Sequence, residues 1–513
     1  MQIINNLNNL TVDDQYFLEV PVPQGATNVP TGNIGLIGTF SRGPLNKPTL
    51  ITSYTDLVKQ FGEVDPQLTL TGTLEARGIF RQGNANVYVV RIDATGTPST
   101  PASVVLKDTQ ATPGTVFTLN AISNGTWGNS LIVITSAGSI ANTFNIQIQY
   151  GAESETWTNV VTKGATTVPA GATTVDLIFG NGTAGSTGLS NLATATYPGT
   201  VNNSTWALGT FTMAGGTNGA STLSSDYIGV STPSKTGINA LDSAPVNLVI
   251  CAGQSDPTIQ TALVNNANTI TQNGGIPRIA ITTFPKGTSI NSLNALVNSL
   301  DTDRLICVYP WVQIFETVTN TTQTVSPLGY YAGLLSQLKP HQSSGNKTIN
   351  GILGPDPSLN IGPIDLTTLS NLQINAIGVT TPKGTIGVRG GFCQSRTVDA
   401  QLYTRRMKDY IDTQVMFVGG QYVDQPITGD LMRQVKQSVD NILLPLKSPA
   451  SASDQMIADY RITCDTSNNT PSITAQNRLL CDYAVKLLNM NRFMIFRTQI
   501  SAGVVITTTQ LGQ

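Results

Sequence analysis

The sequence predicts an α/β protein: an α/β core of strands and helices, an inserted all-β domain, a C-terminal α+β domain, and extended arms at both ends. Three observations carry this. Short apolar runs, too hydrophobic to face water on either side, alternate with helical stretches over residues 32–92 and again over 246–309. Residues 96–225 hold only six charges (Lys107, Asp108, Glu153, Glu155, Lys163, Asp176) and read as short strands between Gly, Asn and Thr turns. From residue 387 onward the chain carries thirteen Lys or Arg, ten Asp and no Glu, a mildly basic region on a chain of net charge −2. The expected boundaries are an arm at 1–20, a discontinuous α/β domain at 21–95 with 226–350, an inserted β-barrel or β-sandwich at 96–225, a C-terminal α+β domain at 351–492, and a strand and arm at 493–513.

In chain order, Ile34, Leu36 and Ile37 form a first strand, Arg42-Gly43-Pro44 a turn, and Leu50-Ile51-Thr52 a second apolar run. A helix then starts near Ser53 or Thr55, places Leu57, Val58 and Phe61 on one face, and ends at Gly62, which supplies a left-handed exit. Val87-Tyr88-Val89-Val90 reads as a strand buried on both faces. In the insert, Leu131 to Ile134, the alternating Phe144, Ile146, Ile148 and Tyr150, and Val175 to Phe179 read as strands. The α/β pattern resumes with strands at 246–251, 278–282 and 304–309 and helices at 256–273 and 289–300. Two more helices are signed at 397–415 and 428–446. The second carries Leu431, Val435, Val439, Ile442 and Leu446 on one stripe, with Arg433, Lys436, Gln437 and Asp440 opposite.

Both ends lack a partner in their own neighbourhood. Residues 1–20 have apolar side chains without a helical stripe, and the tail from 493 (FMIFRTQI, then VVITTTQ from 504) is β-prone. Ordering about 15 residues costs roughly 15–30 kcal/mol of backbone entropy, whereas each ladder hydrogen bond returns only about 1 kcal/mol net. Buried side chains must supply the difference, and Ile3, Ile4, Leu7 and Leu10 are the candidates at the N-terminus.

Composition bounds the function. Charged residues make up only 11% of the chain, so copies repel one another weakly, which favours a subunit that assembles. The balance argues against nucleic acid as a main partner, and no run of about 18 apolar residues suggests membrane insertion. The start of the chain lacks a basic, then apolar, export pattern, so synthesis and folding in a cytoplasm are expected. Five cysteines (Cys251, Cys307, Cys393, Cys464, Cys481), with no CxxC pair, read as reduced packing residues. The one histidine, His341, in a polar loop and expected on the surface, leaves no multi-histidine metal site. Gly32, Gly35 and Gly38 are spaced GxxGxxG rather than as a dinucleotide fingerprint, and Gly345-Asn-Lys-Thr348 misses the phosphate-loop pattern. Asp301 and Asp303 read as solvated turn residues. No catalytic residue, cofactor or metal is expected, and an enzyme is the least supported class.

Five blocks carry a resemblance: GNIGLIGTFSRGPLNKPTLITSYTDLVKQFG at 32–62 with RGIFRQGNANVYVVRI at 77–92; NGTWGNSL at 124–131 with GGTNG at 215–219 and DYIG at 226–229; LICVYPWV at 305–312; PLGYYAG at 327–333; and GVRGGFCQSRT at 387–397 with Arg405-Arg406. In order and content they resemble the contractile tail sheath proteins, the sleeves of contractile phages and related injection machines. Residues 339–355 (KPHQSSGNKTINGILGP) depart from that pattern.

The resemblance implies a structural subunit of a phage tail sheath: hexameric rings stacked around a tail tube protein in an extended, metastable state, contracting on a baseplate trigger to drive the tube through the host envelope for genome ejection. Implied partners are other copies of the chain, the tube, the baseplate and a tail terminator. The implied location is the virion tail, after assembly in the host cytoplasm. Implied inter-subunit contacts are Ile3, Ile4, Leu7 and Leu10 in one arm and Met494, Phe496, Ile500, Val504, Val505 and Ile506 in the other, with Arg433 and Lys436 facing an acidic tube. The sheath of a phage-derived bacterial injection particle fits equally, and a surface-layer or adhesin-like protein is the rival of another class.

Overall fold

The computed structural model describes residues 2–4, 16–18 and 29–494, except 164, 166, 181, 183–186, 199–204, 299, 381–383, 397–399, 450, 452–453 and 493. Two units are distinguished, residues 29–413 and residues 1–28 with 414–513.

Strands apolar on both faces need helices on both sides, and the larger unit is built on that requirement. Its eight-stranded sheet runs in the order Ile386–Arg389, Asn375–Val379, Leu305–Tyr309, Ile279–Thr283, Leu248–Cys251, Ile34–Gly38, Val87–Arg91, Thr49–Ile51. The six inner strands are parallel, and each edge strand is antiparallel to its neighbour. Alternate residues serve opposite cores. Ile34, Leu36, Val87, Val89 and Ile250 pack with the helices Gly72–Phe80 and Leu328–Gln337 on one side. Ile37, Val90, Val249 and Cys251 pack with Pro257–Gln272 and Ile290–Val297 on the other. The sheet takes in the two strands at 375–389, so it runs past the boundary expected at 350.

Local signals explain the helix ends. Ser53 Oγ accepts from the Asp56 N–H at 3.1 Å and starts Tyr54–Phe61, while Gly62, at φ 87°, ends it by donating to the Val58 carbonyl. Helix Gly72–Phe80 was not expected: residues 72–79 are all buried, Thr73, Glu75 and Arg77 included, so no solvent-facing polar stripe marks it. The helix expected from 397 starts instead at Leu402. Cys393 N–H bonds the Ala400 carbonyl and Leu402 N–H bonds Gly391, so residues 400 and 401 are paired with 391–393 rather than wound into the helix. Asp301 and Asp303 are engaged rather than merely solvated: Asp301 accepts from the Arg396 N–H, and Asp303 pairs with Arg405 at 2.7 Å. His341 is half-buried.

The helix pair 72–80 and 328–337 crosses at glycines. A Cβ on Gly329 would lie 2.1 Å from the Glu75 carbonyl oxygen, and one on Gly333 would lie 2.6 Å from that of Ile79. The same contact is stapled by charge. Glu75 is buried and accepts N–H bonds from Gly253 (3.1 Å) and from Gly329 (2.6 Å), at the start of the second helix. Arg77, two residues on, forms a buried ion pair with Glu316.

Within the insert, a five-stranded sheet (Thr173–Thr174, Glu153–Val161, Phe144–Tyr150, Ile132–Ala137, Gly209–Thr212) faces a three-stranded one (Ala193–Thr196, Thr115–Ala121, Ser103–Lys107). Phe117, Val133, Ile146, Ile148 and Trp206 fill the space between them. Val175–Phe179, expected as a strand, is one helical turn. Val175, Ile178 and Phe179 are buried at helical spacing while Leu177 points outward.

The two chain crossings into the insert are tied together. Asn129 exchanges two bonds with Gly216 (2.8 and 2.9 Å), Thr126 donates twice to Asn218, and Asp226 accepts from both the N–H and the hydroxyl of Thr95. Arg91 donates to the carbonyls of Gly43 and Asn124, and the Arg42 guanidinium lies 5.4 and 5.0 Å from the ring centres of Trp127 and Tyr150. These contacts are the physical content of the 124–131 and 215–219 blocks.

Two outcomes test this packing. Gly329→Ala should destabilise the protein by about 2 kcal/mol or more in chemical denaturation, whereas Gly378→Ala, with open space around it, should change little. Burial pushes the Glu75 carboxyl up to about 7 from its ordinary 4.5, against the lowering effect of Ser326, Gly329 and Gly253. A carboxyl raised in the folded state gives stability below its unfolded value that is lost as pH rises through the folded one. Wild-type stability relative to Glu75→Gln should therefore fall by roughly 3 kcal/mol between about pH 4.5 and 8. Parallel pH profiles would contradict this placement.

Candidate assembly surface

The smaller unit contains an isolated two-stranded antiparallel sheet, Ile457–Thr463 with Asp482–Leu487. The pairing sets Asp459 opposite Lys486, Tyr460 opposite Val485, and Ile462 opposite Tyr483. Tyr460, Ile462, Tyr483, Val485 and Leu487 are half-buried or buried, and Asp459, Arg461, Asp482, Ala484 and Lys486 are exposed. That alternation was legible in the sequence and was missed, because the region offers no turn pair of the common hairpin type.

One face of the hairpin rests on the helix Gly429–Lys447. Thr428 caps this helix by accepting from the Leu431 N–H at 3.1 Å, and the expected stripe Leu431, Val435, Val439, Ile442 and Leu446 is buried. The Tyr460 hydroxyl donates to Asp440 at 2.7 Å, and burial, then this carboxylate, push its pKa up to about 12. Lys447 bonds Asp459 at 2.7 Å and holds that carboxyl below its usual range. Two-stranded sheets are marginal alone, so this helix is what makes the hairpin persist.

Among the described residues no third strand pairs with the hairpin. Sheet edges accept an added strand. The large sheet differs. Its far edge, Ile386–Arg389, is covered by residues 346–349: Asn346 N–H bonds Val388, Val388 N–H bonds Lys347, and Ile349 N–H bonds Ile386. The atypical 339–355 segment thus closes an edge. The opposite edge, Thr49–Ile51, is three residues long and follows Lys47-Pro48.

The expected arms are placed as follows. Gln2–Ile4, holding Ile3 and Ile4, pair in parallel with Tyr16–Leu18, so this part has a strand partner within the chain, where an unpaired arm was expected. Leu7, Leu10, Phe496, Ile500, Val504, Val505 and Ile506 lie outside the described residues, as does the strand expected from 493 to 500. Met494 is exposed. Arg433 and Lys436 are both exposed on the helix face opposite the buried stripe, and Arg433 pairs with Asp430 at 2.9 Å. No helix is long and apolar enough to cross a membrane, and no group of His, Cys, Asp and Glu could hold a metal, both among the described residues.

Hydrogen exchange checks the hairpin edges. In the free subunit, amides of 457–463 and 482–487 should exchange at least about 100-fold faster than those of 248–251 and 279–283. Equal protection would mean that the edges are already satisfied.

Residues 31–92 match the family described as tail sheath protein Gp18 domain III, N-terminal region. The tail sheath protein of Burkholderia phage BcepMu is 23% identical over 217 residues, which cover 40% of this chain and 44% of that protein's length. Among solved structures, the sheath tail protein from Listeria innocua is similar at a TM-score of 0.60, with 13% identity, 86% of this chain covered and 91% of that one. That from Desulfitobacterium hafniense is similar at 0.56 and 13% identity, over 89% and 93%. The helical sheath of the anti-feeding prophage in its contracted state is similar at 0.55 and 12%, over 96% and 99%. Together these findings show that the chain has the fold of the solved sheath proteins over most of its length, and that residues 31–92 match the sheath family's domain III segment.

Proposed function

We propose that this chain is the structural subunit of a contractile sheath. Copies form hexameric rings stacked around a tail tube, joined through the hairpin 457–463/482–487. The observation that carries this reading is that hairpin, a helix-backed two-stranded sheet to which no third strand is added among the described residues, in a chain whose large sheet covers or shortens its own edges. Arms from neighbouring copies complete the sheet, with Ile3, Ile4, Leu7 and Leu10 from one end and Met494, Phe496, Ile500, Val504, Val505 and Ile506 from the other burying apolar area that hydrogen bonds alone cannot replace. Using the first arm requires the short pairing of 2–4 with 16–18 to open, a small cost for three residues a side.

Contraction then repacks subunits about tethered arms and needs no nucleotide, since the free energy is laid down at assembly as contacts not yet made. Arg433 and Lys436 are the candidates for touching an acidic tube. Baseplate and terminator are the partners at the two ends, and the tail of a virion assembled in the host cytoplasm is the setting. A phage-derived injection particle is the second reading, favoured by the likeness to the anti-feeding prophage sheath.

Negative-stain electron microscopy of the purified chain at rising concentration tests this. Hollow tubes of uniform width are expected, and flat two-dimensional lattices would favour a surface-layer protein instead. A chain lacking residues 1–14 should fail to form long tubes, and full-length tubes from it would remove the arm from the mechanism.

A further inference from the structure

The ladder of the C-terminal hairpin ends at Thr463 opposite Asp482. One step further along the same antiparallel register places Cys464 opposite Cys481. Directly opposed residues of antiparallel strands have Cα atoms about 4.5–5.5 Å apart, inside the window of roughly 4.4–6.8 Å that a disulfide requires. The side chains meet as well: both thiols are free, they are in hydrogen-bonding contact with each other, and both belong to the cluster under Leu431, Met432 and Val435. Cys464 is buried, and Cys481 is only partly so, giving a reagent one sulfur to attack first.

We propose that Cys464 and Cys481 form a redox-switchable staple at the loop end of the hairpin, closed by a small-molecule disulfide such as oxidised glutathione. The Cys481 thiolate attacks one glutathione sulfur, breaks the glutathione S–S bond and expels one glutathione thiolate. Cys464 thiolate then attacks the Cys481 sulfur and expels the second. The two protein thiols give up two protons, the two released glutathione thiolates take them up, and the protein is oxidised by two electrons. Burial raises both thiols, Cys481 to about 12; Cys464 adds to the rise at Cys481, while the hydrogen bond with Cys481 works against the rise at Cys464. The closing step is therefore slow at neutral pH and faster in alkali. Closure ties the ends of the loop 465–480, limiting the opening of the strands that flank it. This chemistry rests on the hairpin alone and stands whether or not the chain assembles into a sheath.

The test incubates the full-length chain with oxidised glutathione at about pH 9, alkylates remaining thiols in denaturant, and maps peptides by mass. The expected result is a Cys464–Cys481 link within one chain, with Cys251, Cys307 and Cys393 still alkylated. Amides of 457–463 and 482–487 should then exchange at least about tenfold more slowly, an effect reversed by reductant and absent in Cys481→Ala, whose half-buried position makes misfolding avoidable. Cys464→Ser should likewise show no slowing. A stable glutathione adduct on Cys481 without ring closure, a link between chains, or closure with no change in exchange would each overturn the proposal.

Discussion

A strand at the end of a sheet carries backbone groups that must be covered, wetted or paired, and the disposition of these edges organises this molecule. The large sheet resolves both of its own. Residues 346–349 lie along Ile386–Arg389, and the opposite edge is kept to three residues after Lys47-Pro48. The insert joins its sheets where Ser103 and Ala214 exchange backbone bonds. The C-terminal hairpin gains no third strand among the described residues, and Asp459 and Arg461 on one strand and Asp482 and Lys486 on the other are exposed on its outer face.

Closing the other edges has a mechanical corollary. Within residues 29–413 the insert is held by paired amides, by Asp226 on Thr95, and by Arg42 between two aromatic rings, so neighbouring chain crossings share one hydrogen-bonded knot. The helix pair beneath the sheet meets backbone to backbone, with a buried carboxylate and a buried ion pair at the same crossing. Closely packed contacts of this kind have few intermediate arrangements. In the proposed sleeve a unit built this way would transmit force, with displacement left to the segments that link one copy to another.

Much of the fold was legible because it follows from alternation and punctuation. Strands at 34–38, 87–91, 248–251, 279–283 and 305–309 are apolar on both faces, and Ser53, Gly62, Asp256 and Thr428 mark helix ends with the side chains or backbone freedom such ends require. What stayed hidden was set by tertiary contact. Helix 72–80 has no solvent-facing polar stripe, 175–179 carries four apolar residues in five and fits either period, and the start at Leu402 is decided by a backbone pairing with Gly391. The C-terminal hairpin shows clean alternation at 482–487, yet nothing local reveals that it is a sheet of only two strands among the described residues, since the number of neighbours has no sequence signature.

The low charge of the chain acquires a physical role beside these edges. A sleeve must bring many identical surfaces together, and desolvating charges at every repeat would oppose both assembly and any later repacking. With 11% charged residues, most contacts can be made through Thr, Asn, Ser and Gly, whose hydrogen bonds exchange with water at small net cost. Direction must then come from the few apolar elements that can be buried. In the proposed sleeve the helix-backed hairpin is where a neighbour's strand adds, and the apolar side chains of the arms set how firmly it stays. A lattice held by strong, specific tethers and weak, polar faces can change the second without losing the first, which is the property a contracting sleeve requires.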